Sequence, residues 1–219
     1  MLINEFYKPK ISKSATYAIT NHLFNNPLNI PYLKNQLEKF GWKLEGSGVY
    51  SSVWSNPKKS YILKINKIPD PGFDHYVSVI KGSRNPHFPK ISDRRQIFIT
   101  GRSYYAYLIE KLEEFPNRAT AEDYASMFNF VINLNMEEKP LESLIEEYGA
   151  IPEIFKKQPK LIKALRIVSY ESKPFFRIDL HDENFMQRKD GTIVITDPYI
   201  GGYNETRRIF KNENTSQIF

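Results

Sequence analysis

The stretch from Phe176 to Pro198, FRIDLHDENFMQRKDGTIVITDP, constrains the fold more than any other part of the chain. Asp190-Gly191 is a turn dipeptide, and the β-branched run Thr192 to Ile195 behind it reads as a short buried strand. A hairpin is therefore predicted, closed by Asp197-Pro198, with Asp179, His181 and Asn184 ahead of the turn brought beside Asp197 after it. Two carboxylates and a carboxamide at one end of a hairpin form an oxygen-rich site suited to a hard divalent cation such as magnesium.

A second stretch, Leu44 to Lys67, carries a different chemistry. Gly46-Ser47-Gly48 lies between two strand-like pieces, Asn56-Pro57-Lys58-Lys59 is a turn, and Tyr61 to Ile65 is an apolar strand with Lys64 inside it. A lysine in an apolar strand is costly unless it meets an anion. Glycines let backbone N–H groups come close to such an anion, because no Cβ intervenes. Alone, the Gly-Ser-Gly is a plain hairpin signal; its weight comes from Lys64 and from the Asp179, Asn184 and Asp197 set that follows in order.

In that order these residues resemble the glycine-rich loop, phosphate-anchoring lysine, catalytic loop and metal-binding Asp of the protein-kinase-like superfamily. The Asp179-Leu180-His181-x-x-Asn184 form is nearer to aminoglycoside and choline phosphotransferases than to eukaryotic protein kinases. The Ile195-Thr196-Asp197-Pro198 ending, with Asp-Gly before it, resembles the small serine/threonine kinases of short-tailed bacteriophages. The resemblance implies an α+β, bilobal protein-kinase-like fold: a helical N-terminal extension over 1–40, an antiparallel β-sheet N-lobe with the glycine-rich loop over 41–110, and a reduced, mostly helical C-lobe over 111–219. It implies ATP and Mg2+ as cofactors. Gly46 and Gly48 match the first two glycines of the loop, and Ser51 stands where the third would be. Ser47 and Ser51 bound the N–H groups over the phosphates, Val53, Ile62 and Met186 contact the adenine, and Lys64 holds the α- and β-phosphates. Glu110 and Leu112 give backbone contacts to the adenine edge, Asp179 serves the acceptor hydroxyl as base, Asn184 and Asp197 hold metal, and His181 props the loop.

The chain departs from the family in two places. No Glu lies between Lys64 and Glu110 to pair the lysine; Asp74, on a helix expected over Phe73 to Ile80, is the best stand-in, and Asp70 is flanked by prolines. No Ala-Pro-Glu follows Asp197, and Ile178 replaces the Arg that reads an activation-loop phosphate, so no phosphorylation switch is expected there.

The remaining segments supply scaffold. Ser14 to Phe24 and Ile30 to Phe40 carry apolar residues at helical spacing, punctuated by Pro27 and Pro31. Gln96 to Thr100 and Tyr104 to Ile109 read as strands joined at Gly101. Helices are predicted from Thr120, over Leu141 to Tyr148, and over Pro152 to Tyr170, ended by Pro174; a turn at Gly201-Gly202 leads into a polar tail. With no cysteine, disulfides and thiolate chemistry are excluded. No apolar run has the length of a membrane helix and the N-terminus lacks a signal core, so a cytoplasmic protein with no membrane partner is expected. The net charge of +6 suits anionic ligands; nucleic acid is a partner the charge permits, and it ranks behind a solvated surface.

The expected activity is Mg-ATP-dependent phosphoryl transfer to a serine or threonine of a protein substrate, with autophosphorylation at Ser47, Ser51 or Ser52 as an accompanying hypothesis. The alternatives are a small-molecule phosphotransferase, an AMP-transferase and, from another class, a nucleotide-binding pseudokinase acting by protein contact.

Overall fold

The computed structural model describes residues 9–25, 30–99, 102–133, 140–172 and 176–201. Pro27, Gly101, Pro174 and Gly202, to which the sequence assigns turns or helix ends, lie outside these residues. The described residues form two compact units, one drawn from 1–70 with 90–111 and the other from 71–89 with 112–219. Residues 71–89, counted with the sheet lobe on sequence grounds, group with the second unit, and residues 1–40 group with the sheet.

The first unit opens with helices α1 (Lys13–Asn25) and α2 (Ile30–Glu38). The Ser12 hydroxyl caps α1 by accepting the Ala15 N–H at 3.1 Å. Strands β1 (Lys43–Ser47), β2 (Ser51–Ser55), β3 (Tyr61–Asn66), β4 (Ile91–Ile99) and β5 (Arg102–Glu110) form an antiparallel sheet in the order β1-β2-β3-β5-β4. Alternation along β3 sends Leu63 and Ile65 to one face and Ile62, Lys64 and Asn66 to the other. Leu63 and Ile65 join Trp54, Ala106 and Leu108 in a core completed by Ile19, Leu23, Leu33 and Leu37 of the two helices. The helical extension therefore covers one face of the sheet and leaves the lysine face to other uses. Each such aliphatic side chain contributes about 1.5–3 kcal/mol on burial, so the extension is integral to the unit.

The β4 strand begins at Ile91, earlier than the Gln96 suggested by its apolar pattern. It is an edge strand, and its polar start is held by side chains rather than by burial. The Asp93 carboxylate accepts the Ile11 N–H and the Arg95 Nε–H, each at 2.9 Å, and the Arg94 guanidinium lies 4.0 Å from the Tyr105 ring centroid.

The second unit contains α3 (Pro71–Ile80), α4 (Arg118–Asn133), α5 (Pro140–Tyr148), α6 (Glu153–Lys157) and α7 (Lys160–Glu171). Next come β6 (Arg177–Ile178), a 3₁₀ turn (Asp182–Asn184), β7 (Phe185–Gln187), β8 (Ile193–Ile195) and β9 (Tyr199–Ile200). The α4 helix starts before Thr120, because Asn117 Oδ1 accepts the Ala119 N–H at 2.9 Å and caps it. The single helix expected over Pro152 to Tyr170 is two helices, broken where Pro159 has no N–H to give. Phe128, Leu161, Leu165 and Val168 are buried with Phe185 and Ile195 of the hairpin strands, and the Phe128 and Phe185 rings meet edge to face at 4.8 Å.

Helix α3 packs closely on β9. A Cβ at Gly72 would lie 2.6 Å from the Tyr199 carbonyl oxygen and 3.0 Å from the Gly201 nitrogen, both backbone atoms. His75 Nε2–H donates to the Glu171 carbonyl at 2.7 Å, and its ring stacks on Phe176 at 4.4 Å. Gly72→Ala is expected to lower stability by about 1–3 kcal/mol through forced displacement of this backbone. In the first unit, Ile19→Ala is expected to cost about 2–5 kcal/mol. Denaturant unfolding checks both, and an Ile19→Ala protein as stable as the parent would show that the helical cover contributes nothing.

Candidate active site

The candidate residues fall into two sets, one in each unit. In the second unit, backbone bonds gather the three residues expected to serve metal and acceptor. The hairpin forms as the Asp-Gly signal implies, with Phe185 opposite Ile195 and Gly191 at φ +80 in its turn. Asp190 Oδ1 accepts the Thr192 N–H at 2.9 Å, and that bond holds the Asp190 carboxyl below its usual range. The Asp179 N–H donates to the Pro198 carbonyl at 2.8 Å, which sets Asp179 beside Asp197. The Asp179 carbonyl accepts the Asn184 Nδ2–H at 2.5 Å, and the Thr196 N–H donates to the Asn184 carbonyl at 2.9 Å. With its nitrogen committed to the Asp179 carbonyl, the Asn184 amide keeps only Oδ1 for another partner. Met186 is half-buried on β7, opposite Val194.

His181 does not brace the loop through its ring. Its nitrogens lie 3.8 Å from Asp179 Oδ2 and 3.7 Å from Asp182 Oδ1, beyond hydrogen-bond length, and the side chain is exposed. Its carbonyl accepts the Asn184 N–H at 3.0 Å. The bracing comes from residues that sequence reasoning passed over. Asn129 on α4 donates through Nδ2 to the Leu180 carbonyl at 2.7 Å and to the Ala125 carbonyl at 2.9 Å. The Tyr76 hydroxyl donates to the Ile195 carbonyl at 2.5 Å. Burial, and then the nearby Tyr199 and Asp197, push its phenol far above the usual range. Gln158 clasps the hairpin from both sides, accepting the Ile193 N–H at 2.9 Å and donating to the Gly191 carbonyl at 3.0 Å. The only hint in the sequence was an Asn next to Phe128 on an apolar helix face.

His87 completes this support, its Nδ1–H donating to the Ile193 carbonyl at 2.8 Å while its carbonyl accepts the Ile195 N–H at 2.9 Å. Burial holds the imidazole below its usual range; Arg188 and Lys160 act in the same direction, and the Ile193 bond opposes them.

In the first unit, strand register places the nucleotide candidates on one face. Val53 pairs with Lys64 and Ser51 with Asn66, so both lie with Ile62 on the side opposite the helical cover. Lys64 is buried, at 7% exposure. The turn that joins β1 to β2 is closed by the Gly48 N–H donating to the Ser51 carbonyl at 3.0 Å. The Lys67 ammonium fastens it from below, donating to Ser47 Oγ at 3.0 Å and to the Gly48 carbonyl. A Cβ at Gly46 or Gly48 would meet nothing within 4 Å, and neither has a positive φ. The folded chain itself therefore does not demand glycine at either position. Of the loop serines, Ser52 is fully buried and accepts the Trp54 indole N–H at 2.9 Å, which removes its hydroxyl from the surface chemistry expected of it. The Glu110 N–H is bonded to the Lys90 carbonyl at 2.9 Å; Leu112 opens the second unit and is buried. Asp70 is buried at the end of the first unit, and Asp74 is half-buried in the first turn of α3.

Among the described residues no three or more His, Asp or Glu side chains form a metal-holding group. Asn184 Oδ1 with the Asp197 carboxylate is a two-ligand set of hard oxygens, and it fits magnesium, which is commonly held by one or two protein oxygens together with phosphates. Beside the loop, a cavity of about 290 Å³ is lined by Glu114, Phe115, Arg118, Asp182, Glu183 and Met186. The Arg118 guanidinium bridges Asp182 at 3.0 Å and Glu122 at 3.1 Å across its rim.

No family model matches the chain, and no curated protein matches it. Among solved structures it is similar to APH(2″)-IIa in a ternary complex with streptomycin and ATP, at 11% identity and a TM-score of 0.34 over 79% of this chain and 71% of that one. No helix among the described residues is long and apolar enough to cross a membrane.

Asn129→Ala leaves the Leu180 carbonyl without its amide donor; a stability loss of about 1 kcal/mol is expected, with faster amide exchange over 179–184 read by hydrogen–deuterium exchange. The His87 ring gives a pH dependence. An unfolded histidine takes its proton near about 6.5, whereas the folded unit resists it. Stability is thus full above that pH and falls as the solution is acidified toward the lower folded value. The slope of unfolding free energy between neutral and mildly acid pH is expected to flatten in His87→Gln.

Proposed function

We propose that the chain is an ATP-dependent phosphotransferase of the protein-kinase-like superfamily, and within it a small serine/threonine protein kinase of the kind found in short-tailed bacteriophages. The single observation that carries the reading is the knot at Asp179, whose carbonyl accepts from the Asn184 amide and whose N–H donates to the Pro198 carbonyl beside Asp197. Supporting it are the buried Lys64 on the polar face of the sheet and two loop glycines that the chain itself does not require. Lys64 offsets phosphate charge, and the N–H groups of residues 47–51 approach the same phosphates. Val53 and Ile62 are apolar contacts for the base. The half-exposed Asp179 carboxylate accepts or orients the proton of the acceptor hydroxyl. The acceptor oxygen forms a bond to the γ-phosphorus, the bond from that phosphorus to the bridging oxygen breaks, and ADP leaves. Asn184 and Asp197 would hold magnesium, which would supply positive charge against the charge that develops in transfer.

The second reading, a small-molecule phosphotransferase, is favoured by the cavity beside the loop, whose Glu114, Asp182 and Glu183 suit a compact cationic acceptor.

Incubation of a bacterial lysate with γ-labelled and, separately, α-labelled ATP separates these outcomes. Label on protein from the γ-position alone is expected, and label on small molecules selects the second reading. Transfer from the α-position marks an AMP-transferase, and no label in either arm marks an inert binder. Asp197→Ala and Asp179→Asn are each expected to reduce transfer about a thousandfold, since each removes a contact made to the reacting groups.

A further inference from the structure

Among the described residues of the first unit, Asn66 is a buried amide whose chemistry the fold does not explain. It is fully buried at the end of β3, and neither its Nδ2 nor its Oδ1 has a hydrogen-bond partner. Two orphaned polar atoms on one buried amide are unusual, since buried polar groups are almost always partnered. Exchanging the amide's nitrogen and oxygen does not relieve this, because both positions are unpartnered. Alternation along β3 puts Asn66 on the same face as Lys64, and its register partner is Ser51, at the end of the glycine turn. The next residue fastens that turn: the Lys67 N–H donates to the Tyr50 carbonyl at 2.8 Å, and its ammonium holds Ser47 and Gly48. Asn66 thus sits between the buried lysine and the loop whose glycines admit a ligand.

We propose that Asn66 is a further nucleotide-binding residue, one that grips the hydrated cation–polyphosphate group of ATP. The proposal rests on the phosphotransferase reading and adds to it a residue with no counterpart in the motifs that suggested it. A carboxamide offers two N–H donors and an acceptor oxygen. A bare anion would satisfy only the donors, and an apolar ligand neither. A polyphosphate with its hydrated cation satisfies both, phosphate oxygen accepting from Nδ2 and cation-bound water donating to Oδ1.

The test is Asn66→Leu, which keeps the γ-branched heavy-atom outline and removes both polar atoms. Two quantities are read, the thermal midpoint of the unliganded protein and the affinity for Mg-ATP by calorimetry. The amide has no partner in the unliganded fold, so the midpoint is expected to stay the same or rise, while affinity falls about tenfold, the scale of a hydrogen bond to a charged group. A merely structural amide, for instance one holding an internal water, gives the opposite pattern: a lower midpoint with parental affinity, which overturns the proposal. Parental affinity with an unchanged midpoint overturns it as well. If the parent protein itself does not bind Mg-ATP, the functional reading falls and this inference with it. Binding by the parent with no loss in Asn66→Leu removes the inference alone. Should Asn66→Leu fold poorly, Asn66→Ala carries the same two readouts.

Discussion

The second unit depends on the backbone of one residue. Asp179 donates its N–H to the Pro198 carbonyl and accepts the Asn184 Nδ2–H at its own carbonyl, so a single residue ties the loop before the hairpin to the segment after it. Neither bond belongs to a helix or a long sheet; the hairpin and the Thr196 N–H to Asn184 carbonyl bond already join Asn184 to the Asp197 segment, and these two bonds add Asp179 to the pair. The arrangement also commits the Asn184 amide nitrogen. Around this knot, Asn129, Tyr76, Gln158 and His87 hold carbonyls and N–H groups of the loop and hairpin. These partners come from α4, from α3, from the break between α6 and α7, and from the turn ahead of β4. The rigid elements thus fix an irregular segment by side-chain bonds to its backbone, the general means of holding a reactive loop in place.

In the first unit the organising fact is the alternation of β3. Its odd-numbered apolar residues enter a core with α1 and α2, which frees the opposite face for Ile62, Lys64 and Asn66. A lysine and an asparagine could not be buried on the face that meets the helices without losing the close packing of Trp54, Leu63 and Leu108. Burial of the unpartnered Asn66 amide on the other face is unfavourable in the chain alone, and such strain is commonly kept where a ligand relieves it.

Much of this was legible in the chain. The Asp-Gly turn and the β-branched run specify the hairpin locally, because a turn with φ above zero and a strand period of two are both short-range properties. The lysine within an apolar strand was visible for the same reason. Helix ends were less so: Asn117 caps α4 ahead of the Thr120 expected, since cap choice depends on which side chain reaches the free N–H groups. Pro159 was a breaker in plain view, outweighed by the apolar period on either side of it. The start of β4 was hidden because an edge strand keeps its pairing while carrying charged side chains.

The sequence by itself determined the hairpin and the apolar strand that carries Lys64, because each rests on local period and turn geometry. Only the tertiary structure decided which polar groups are committed internally and which are left without partners. Ser52, the Glu110 N–H and the Asn184 nitrogen are committed. The Asn66 amide is left without partners. The physical reason is that a hydrogen bond depends on distance in space. The bonds that settle these roles, such as Asn129 to Leu180 and His87 to Ile193, join residues far apart in the chain, where no local pattern records them.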